Sequence, residues 1–291
     1  MNRKSFLTSF LGLLLPLVVV AQVNMTFNLG LRGPLIDDHF YGIFFEELSH
    51  SGEGGLYAEL IQNRSFEDNG STAAHWYAVG GAQMRLTTDN MMNSVQQHAL
   101  LVETTGAGQG VRNEGFWGIS TVAGTTYKLS FWIRTDENWQ GTVTARLVDN
   151  RRAEIGQTEI SVDASTTWKQ YTAEVTATST DASGCFDLIF GSEVKATIDM
   201  VSLFPPTFND RENGMRKDIG QMLADIKPKF LRFPGGCYVE GVWSRDLNSE
   251  CRYLWKNSVG PQEGMWQTSA WAMTGLTTIR TSVNIFRKHS T

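Results

Sequence analysis

KFLRFPGGCYVEG, residues 229–241, is the stretch on which the fold turns. Phe230, Leu231 and Phe233 read as a short buried strand, and Pro234-Gly235-Gly236 ends it abruptly. Proline withdraws a ladder donor, and paired glycines reach backbone angles that other residues avoid. Arg232 stands just before the break and Cys237 just after it. A strand that stops in a tight glycine turn flanked by such groups reads as a site on the C-terminal rim of a parallel β/α structure. The competing reading is an ordinary strand-to-loop turn with its arginine in water.

Upstream of this strand, residues 209–226 place Met215, Ile219, Met222, Leu223 and Ile226 at threes and fours. That spacing gives one apolar helical face, with Asn209 or Asp210 as the cap and Pro228 as the stop. Earlier still, HFYGIFFEELSH, residues 39–50, gathers Ile43, Phe44 and Phe45 into a buried strand that ends in Glu46-Glu47. Side chains alternate along a strand, so the two carboxylates cannot both point the same way. One can face a site while the other pairs elsewhere. Strand 39–48, helix 209–226 and strand 229–233 form a β-α-β unit, which puts Glu46 and Arg232 at the same end of two parallel neighbours. SGEGG, residues 51–55, is a turn, and residues 56–67 carry Leu56, Leu60 and Ile61 at helical spacing. Residues 25–31 alternate loosely, as an edge strand does.

Between these parts the texture changes. Residues 69–205 are rich in Thr, Ser, Gly and Val, and their apolar residues alternate. YKLSFWIRT (127–135), TVTARLV (142–148), WKQYTAEVTA (168–177), CFDLIFG (185–191) and ATIDMVSLF (196–204) read as strands with turn residues between them. The absence of a helical period among them indicates an antiparallel β-sandwich. The organisation expected is therefore a signal peptide (1–21), a first strand region (22–67), the sandwich (68–205), a continuation with helix, strand and loop (206–263), and an atypical tail (264–291).

Arg3 and Lys4, the apolar run 6–20 and Ala21-Gln22 form a secretory signal pattern, too short for a membrane span. The expected location is outside the cell or in a periplasm, with no membrane contact after cleavage. The 291 residues carry a net charge of −5 and no basic run longer than two residues, which argues against a nucleic-acid partner. Three cysteines, Cys185, Cys237 and Cys251, leave at least one thiol unpaired within the chain and show no zinc-type spacing. Nine tryptophans offer flat faces on which sugar rings stack. Trp76, Trp117, Trp132, Trp139 and Trp168 fall in the sandwich. Trp132 alternates with core positions, whereas Trp117 and Trp139, beside Gly118 and Gly141, read as loop residues and the better sugar platforms.

Three separated motifs, YGIFFEELSHSGEGGLYAELIQNRSFE, RENGMRKDIGQMLADIKPKFLRFPGGCYVEG and WKNSVGPQE, stand in order along the chain. Together they closely resemble the α-L-arabinofuranosidases of glycoside hydrolase family 51, in the branch with a carbohydrate-binding-like sandwich after the first barrel strand. The likeness covers residues 35–67 and 209–263, and more loosely the insert. It implies an incomplete (β/α)8 barrel, α/β in class, interrupted by an all-β sandwich of the galactose-binding jelly-roll type. It further implies retaining hydrolysis of terminal arabinofuranosides in arabinan or arabinoxylan, through two carboxyls about 5 Å apart. By motif, Glu46 would bond the hydroxyls of an arabinofuranose, Arg232 would hold the nucleophile ionised, and Cys237 would line the same subsite. The family's acid/base and nucleophile glutamates sit on later strands, so both are expected beyond this chain. Asn113-Glu114 lies inside the sandwich and Glu263 belongs to a loop, so the chain alone is expected to lack turnover. No cofactor is expected, apart from a structural calcium in the sandwich to which Glu67 or Asp199 would lend oxygens. Other readings are a non-catalytic secreted carbohydrate binder, or another furanose or glucan hydrolase on the same barrel.

Overall fold

The computed structural model describes residues 24–37, 39–232 and 235–236. The expected signal peptide, Cys237, the loop ending at Glu263 and the tail 264–291 lie outside the described residues. Two compact units divide the chain, Met1–Asp37 and Asp38–Thr291. In the first, residues 24–37 form no strand. A turn holds them locally, with Leu31 N donating to Asn28 O at 3.2 Å and Gly30 N to Asn28 Oδ1 at 3.0 Å. The edge strand expected over residues 25–31 is thus corrected: these residues bond locally and have no ladder partner among the described residues.

In the second unit, β1 (Ile43–Phe44) pairs in parallel with β13 (Leu231–Arg232), Ile43 opposite Leu231 and Phe44 opposite Arg232. Ile43 N donates to Phe230 O at 2.9 Å and Phe45 N to Arg232 O at 3.0 Å. The helix α1 (Lys217–Ile226) leads into β13. Its inner side packs Ile219, Leu223 and Ala224 on Leu56, Phe208 and Met215, where Phe45 also rests. The α-helix begins at Lys217, not at residue 209 as its apolar spacing suggested. Asn209, Asp210 and Asn213 all take left-handed backbone angles, which no helix admits. The stretch instead folds back on itself, with Phe208 N donating to Met215 O at 2.9 Å and Arg216 N to Leu56 O at 2.9 Å.

The strands between these two ends make a two-sheet sandwich. One sheet of five strands runs β10 (Lys169–Thr176), β7 (Thr126–Thr135), β12 (Val194–Phe204), β4 (Ala99–Thr104), β3 (Gln83–Thr87). The other runs β2 (Trp76–Val79), β5 (Gln109–Asn113), β11 (Asp181–Phe190), β8 (Trp139–Val148), β9 (Glu154–Ala164), with β6 (Ile119–Thr121) also on β11. All sandwich pairings are antiparallel. Alternation sends Phe131 and Ile133 of β7, Leu147 of β8, Phe186, Leu188 and Phe190 of β11 and Ile198 of β12 into one core, all fully buried. Each such side chain contributes about 1.5–3 kcal/mol by leaving water.

Residues 56–67 are not the helix their spacing suggested. A five-residue π-turn, Gly52–Leu56, ends at the first of them. Beyond it the backbone bonds to other segments: Ala58 N to Gly214 O at 3.1 Å, Leu60 N to Leu203 O at 3.0 Å, and Arg64 O from Val201 N at 2.9 Å. A chain whose donors and acceptors are spent on the sandwich has none left for a helical ladder.

Candidate functional site

Glu46 follows Phe44 by two residues and stands on the same side of the extended chain, half-buried. The turn after β13 closes on it. Gly235 has φ +134, and a Cβ there would sit 2.5 Å from Glu46 Cγ and 2.7 Å from Cδ. A Cβ on Gly236 would stand 4.0 Å from Glu46 Oε2. Only glycine at 235 lets this backbone lie against the carboxylate stem. Arg232 is exposed, its guanidinium 5.0 Å from the centre of the Phe44 ring, a cation–π contact. Glu46, Phe44, Arg232 and the glycine turn therefore meet at one end of a parallel pair.

Glu47 points the other way and is buried. Its Oε2 accepts from Gly52 N at 2.7 Å and Glu53 N at 3.2 Å, which secures the π-turn. Burial pushes its carboxyl up, and those two N–H groups oppose the shift. Behind it lies a buried acidic group. Glu53 is pushed up to about 8 by burial, then by Asp68, with Arg64 pulling the other way. Glu59, raised by burial, accepts from Leu203 N at 2.9 Å and Ile61 N at 3.0 Å, is bonded by Ser202 Oγ, and pairs with Arg64 at 3.4 Å.

A cleft of about 370 Å³ opens beside this segment, lined by His50, Gln62, His75, Tyr77, Glu114 and Trp117. Trp117 is 74% exposed and holds a left-handed φ of +59. His50 meets it edge-on, ring centres 5.5 Å apart. Trp139, expected in a loop, is the first residue of β8 and packs edge-on to Phe190 at 6.2 Å, half-buried against the core. The strand pairs through Trp139 itself, opposite Ala164, so no loop remains there to lift the ring into solvent. Trp76 is also core, donating its indole N–H to Asn63 O at 3.0 Å. Trp168 donates to Asn90 O at 2.8 Å.

Asn113, set aside on sequence as a chance neighbour of Glu114, is a fully buried junction. Its amide donates to Gln62 O at 2.9 Å and His75 O at 3.2 Å, and its oxygen accepts from Gln62 N at 3.2 Å and Gly115 N at 2.9 Å. Three segments of the cleft wall, around residues 62, 75 and 113–115, are joined there. No local pattern links residues 50, 62, 75 and 117, so pattern reading found Trp117 alone, by its glycine neighbour.

Of the two acids expected near a calcium, Glu67 is engaged with Gln97 N at 2.6 Å, His98 N at 2.8 Å and His98 Nδ1 at 2.7 Å. Asp199 is fully buried; its Oδ1 accepts from Met200 N at 2.7 Å, while Oδ2 is buried with no hydrogen-bond partner. Burial holds its carboxyl well above the usual range, and the charge of Glu67 adds to this. Among the described residues, no three His, Cys, Asp or Glu side chains gather around a metal position.

Residues 58–193 match the family described as carbohydrate binding domain, and residues 222–279 match the α-L-arabinofuranosidase 1 domain. An extracellular exo-α-L-arabinofuranosidase of Streptomyces chartreusis is 35% identical over 257 residues, 84% of this chain and 30% of that protein. α-L-Arabinofuranosidase 1 of Arabidopsis thaliana is 33% identical over 246 residues, 79% of this chain and 35% of that protein. A solved arabinose-bound GH51 α-L-arabinofuranosidase superposes with a TM-score of 0.75 at 31% identity, over 85% of this chain and 42% of that one. The chain thus spans about a third of the length of these curated relatives. Over the sandwich, the β1–β13 pair and the helix between them, the chain is similar to α-L-arabinofuranosidases, among them a solved GH51 enzyme.

Proposed function

We propose that this chain supplies the sugar-holding rim of a secreted enzyme that removes terminal, non-reducing α-L-arabinofuranose from arabinan- or arabinoxylan-type polysaccharides. The observation that carries this reading is the in-register parallel pairing of β1 and β13, which brings Glu46 to the glycine turn beside Arg232. A carboxylate fixed in that way accepts two charge-assisted bonds from neighbouring ring hydroxyls. Arg232, stacked on Phe44 and exposed, adds a cation that keeps an approaching carboxylate ionised. Retaining hydrolysis needs two carboxyls about 5–5.5 Å apart across the scissile bond. Glu46 and Glu47 cannot form that pair, because Glu47 is turned inward and bound to the π-turn. In this reading β1, α1 and β13 are the opening of a (β/α)8 barrel, with the sandwich inserted between β1 and α1.

Calorimetric titration with methyl α-L-arabinofuranoside tests the reading. Glu46→Gln keeps the shape and loses the charge, and is expected to weaken binding about ten-fold, as losing one charge-assisted bond does. Equal affinity in wild type and variant would remove Glu46 from the site.

A structural calcium belongs to the same reading of the sandwich. Asp199 fits it better than Glu67, since Asp199 has a buried oxygen without a donor and Glu67 has none to spare. Such an oxygen suits a hard, oxygen-seeking cation, which would neutralise the carboxylate there.

A further inference from the structure

The cleft beside Trp117 is built from two parts of the chain that the sequence keeps apart. One wall is the loop after β1, where Ser51 Oγ donates to Glu46 O at 2.9 Å and so ties His50 to the rim carboxylate's own backbone. The other wall is the sandwich loop of residues 114–118. Phe116 locks the two together: a Cβ on Gly54 would lie 2.5 Å from the Phe116 ring. Gly115 and Gly118 fix the loop from beneath, where added Cβ atoms would stand 2.8 Å from Leu60 O and 2.5 Å from Ser183 Cα. On this rigid base Trp117 is held outward in a left-handed conformation that bulky residues rarely adopt. Ser49, His50 and His75 also have positive φ. Backbone strain gathered around one concave surface marks a site kept for binding.

The chemistry of the lining narrows the ligand. Trp117 and Tyr77, 74% and 50% exposed, offer two aromatic faces. Gln62, His50 and His75 supply hydrogen-bonding groups between them. The lining contains no lysine or arginine, and Glu114 is already paired with Arg152 at 2.7 Å. The volume, about 370 Å³, falls within the range of small-ligand clefts, about 300–1,000 Å³. Flat apolar faces with neutral polar groups at their edges suit sugar rings, and the lack of a cation disfavours acidic ones.

We infer that this cleft binds a neutral oligosaccharide, stacked on Trp117 and hydrogen-bonded by Gln62 and the two histidines. That the oligosaccharide is the main chain from which the arabinofuranose at the β1–β13 rim branches rests on the function proposed above; the cleft's own binding does not.

The test is calorimetric titration of the full chain with xylohexaose, α-1,5-arabinohexaose and a galacturonate hexamer. At least one of the two neutral oligomers is expected to bind, the galacturonate is not, and Trp117→Ala is expected to weaken the neutral ligand roughly ten-fold. Trp117→Phe should restore part of that loss, and both variants should melt as wild type does, since the side chain lies in solvent. Binding of neither neutral oligomer, tighter binding of the galacturonate, or equal affinity in Trp117→Ala would overturn the inference. Methyl α-L-arabinofuranoside run alongside separates the two ideas. Its failure to bind with xylohexaose or arabinohexaose still held by Trp117 removes the rim reading and leaves the cleft. The reverse result removes the cleft and leaves the rim.

Discussion

Glu53 is a carboxyl that the fold keeps protonated. It is buried beside Asp68, Glu59 and Glu47, with Arg64 the opposing charge, and its value rises from 4.5 to about 8. Between those values the folded chain retains a proton that the unfolded chain has released, so stability falls as pH rises. The contribution is complete below about pH 4.5 and is lost as pH passes 8. Glu47, Glu59 and Asp68 shift in the same direction, so their effects add. The melting temperature is expected to drop by several degrees between pH 5 and pH 8.5, and Glu53→Gln to flatten that slope. A variant with the wild-type slope would show that Glu53 is not the group responsible. None of this was legible in GEGG: the charged groups that act on Glu53 lie up to fifteen residues away, and Phe116, which packs beside the adjoining Gly54, lies farther still. The divergence of Glu46 and Glu47 was legible, because a strand's two-residue period requires it.

At the scale of elements, β12 shows how a strand departs from its period to place a polar group. Its pairing with β7 shifts register between Asp199 and Ser202, and Met200 at the break takes φ +50. Such a bulge re-aims the side chains around it, and here it sets Asp199 in the interior with one oxygen unmatched. Calcium is therefore expected to raise the melting temperature of the full chain by several degrees, with chelator reversing the gain and Asp199→Asn abolishing it. A melting temperature indifferent to calcium and chelator in the wild type would dismiss the cation. The sandwich strands themselves could be read from sequence, since YKLSFWIRT and ATIDMVSLF alternate cleanly and their partners are equally regular. One helical reading failed and another was shortened at its start, for one reason. Residues 56–67 and the first turns of 209–226 have helical spacing, but their backbone groups bond across the chain to each other and to β12. Spacing reports which residues are buried, and it does not report where the backbone bonds go.

For the whole molecule, the sandwich separates the two strands of the rim by nearly the length of the described chain, yet those strands pair in register. Loop closure over such a distance costs entropy that grows only slowly with length, so an independently packed insert between paired neighbours is tolerated. The rim could be foreseen because short apolar strands, a helix and a glycine turn leave few topologies open. The cleft at Trp117 could not, because its walls come from both sides of the insertion. What remains is whether Glu46 and Arg232 act on one sugar. A double-mutant cycle of Glu46→Gln and Arg232→Lys, read as affinity for methyl α-L-arabinofuranoside, measures this directly. One shared ligand gives a coupling energy of about 1 kcal/mol or more between the two substitutions; losses that add to within about 0.5 kcal/mol would mean that the two residues do not serve a common site.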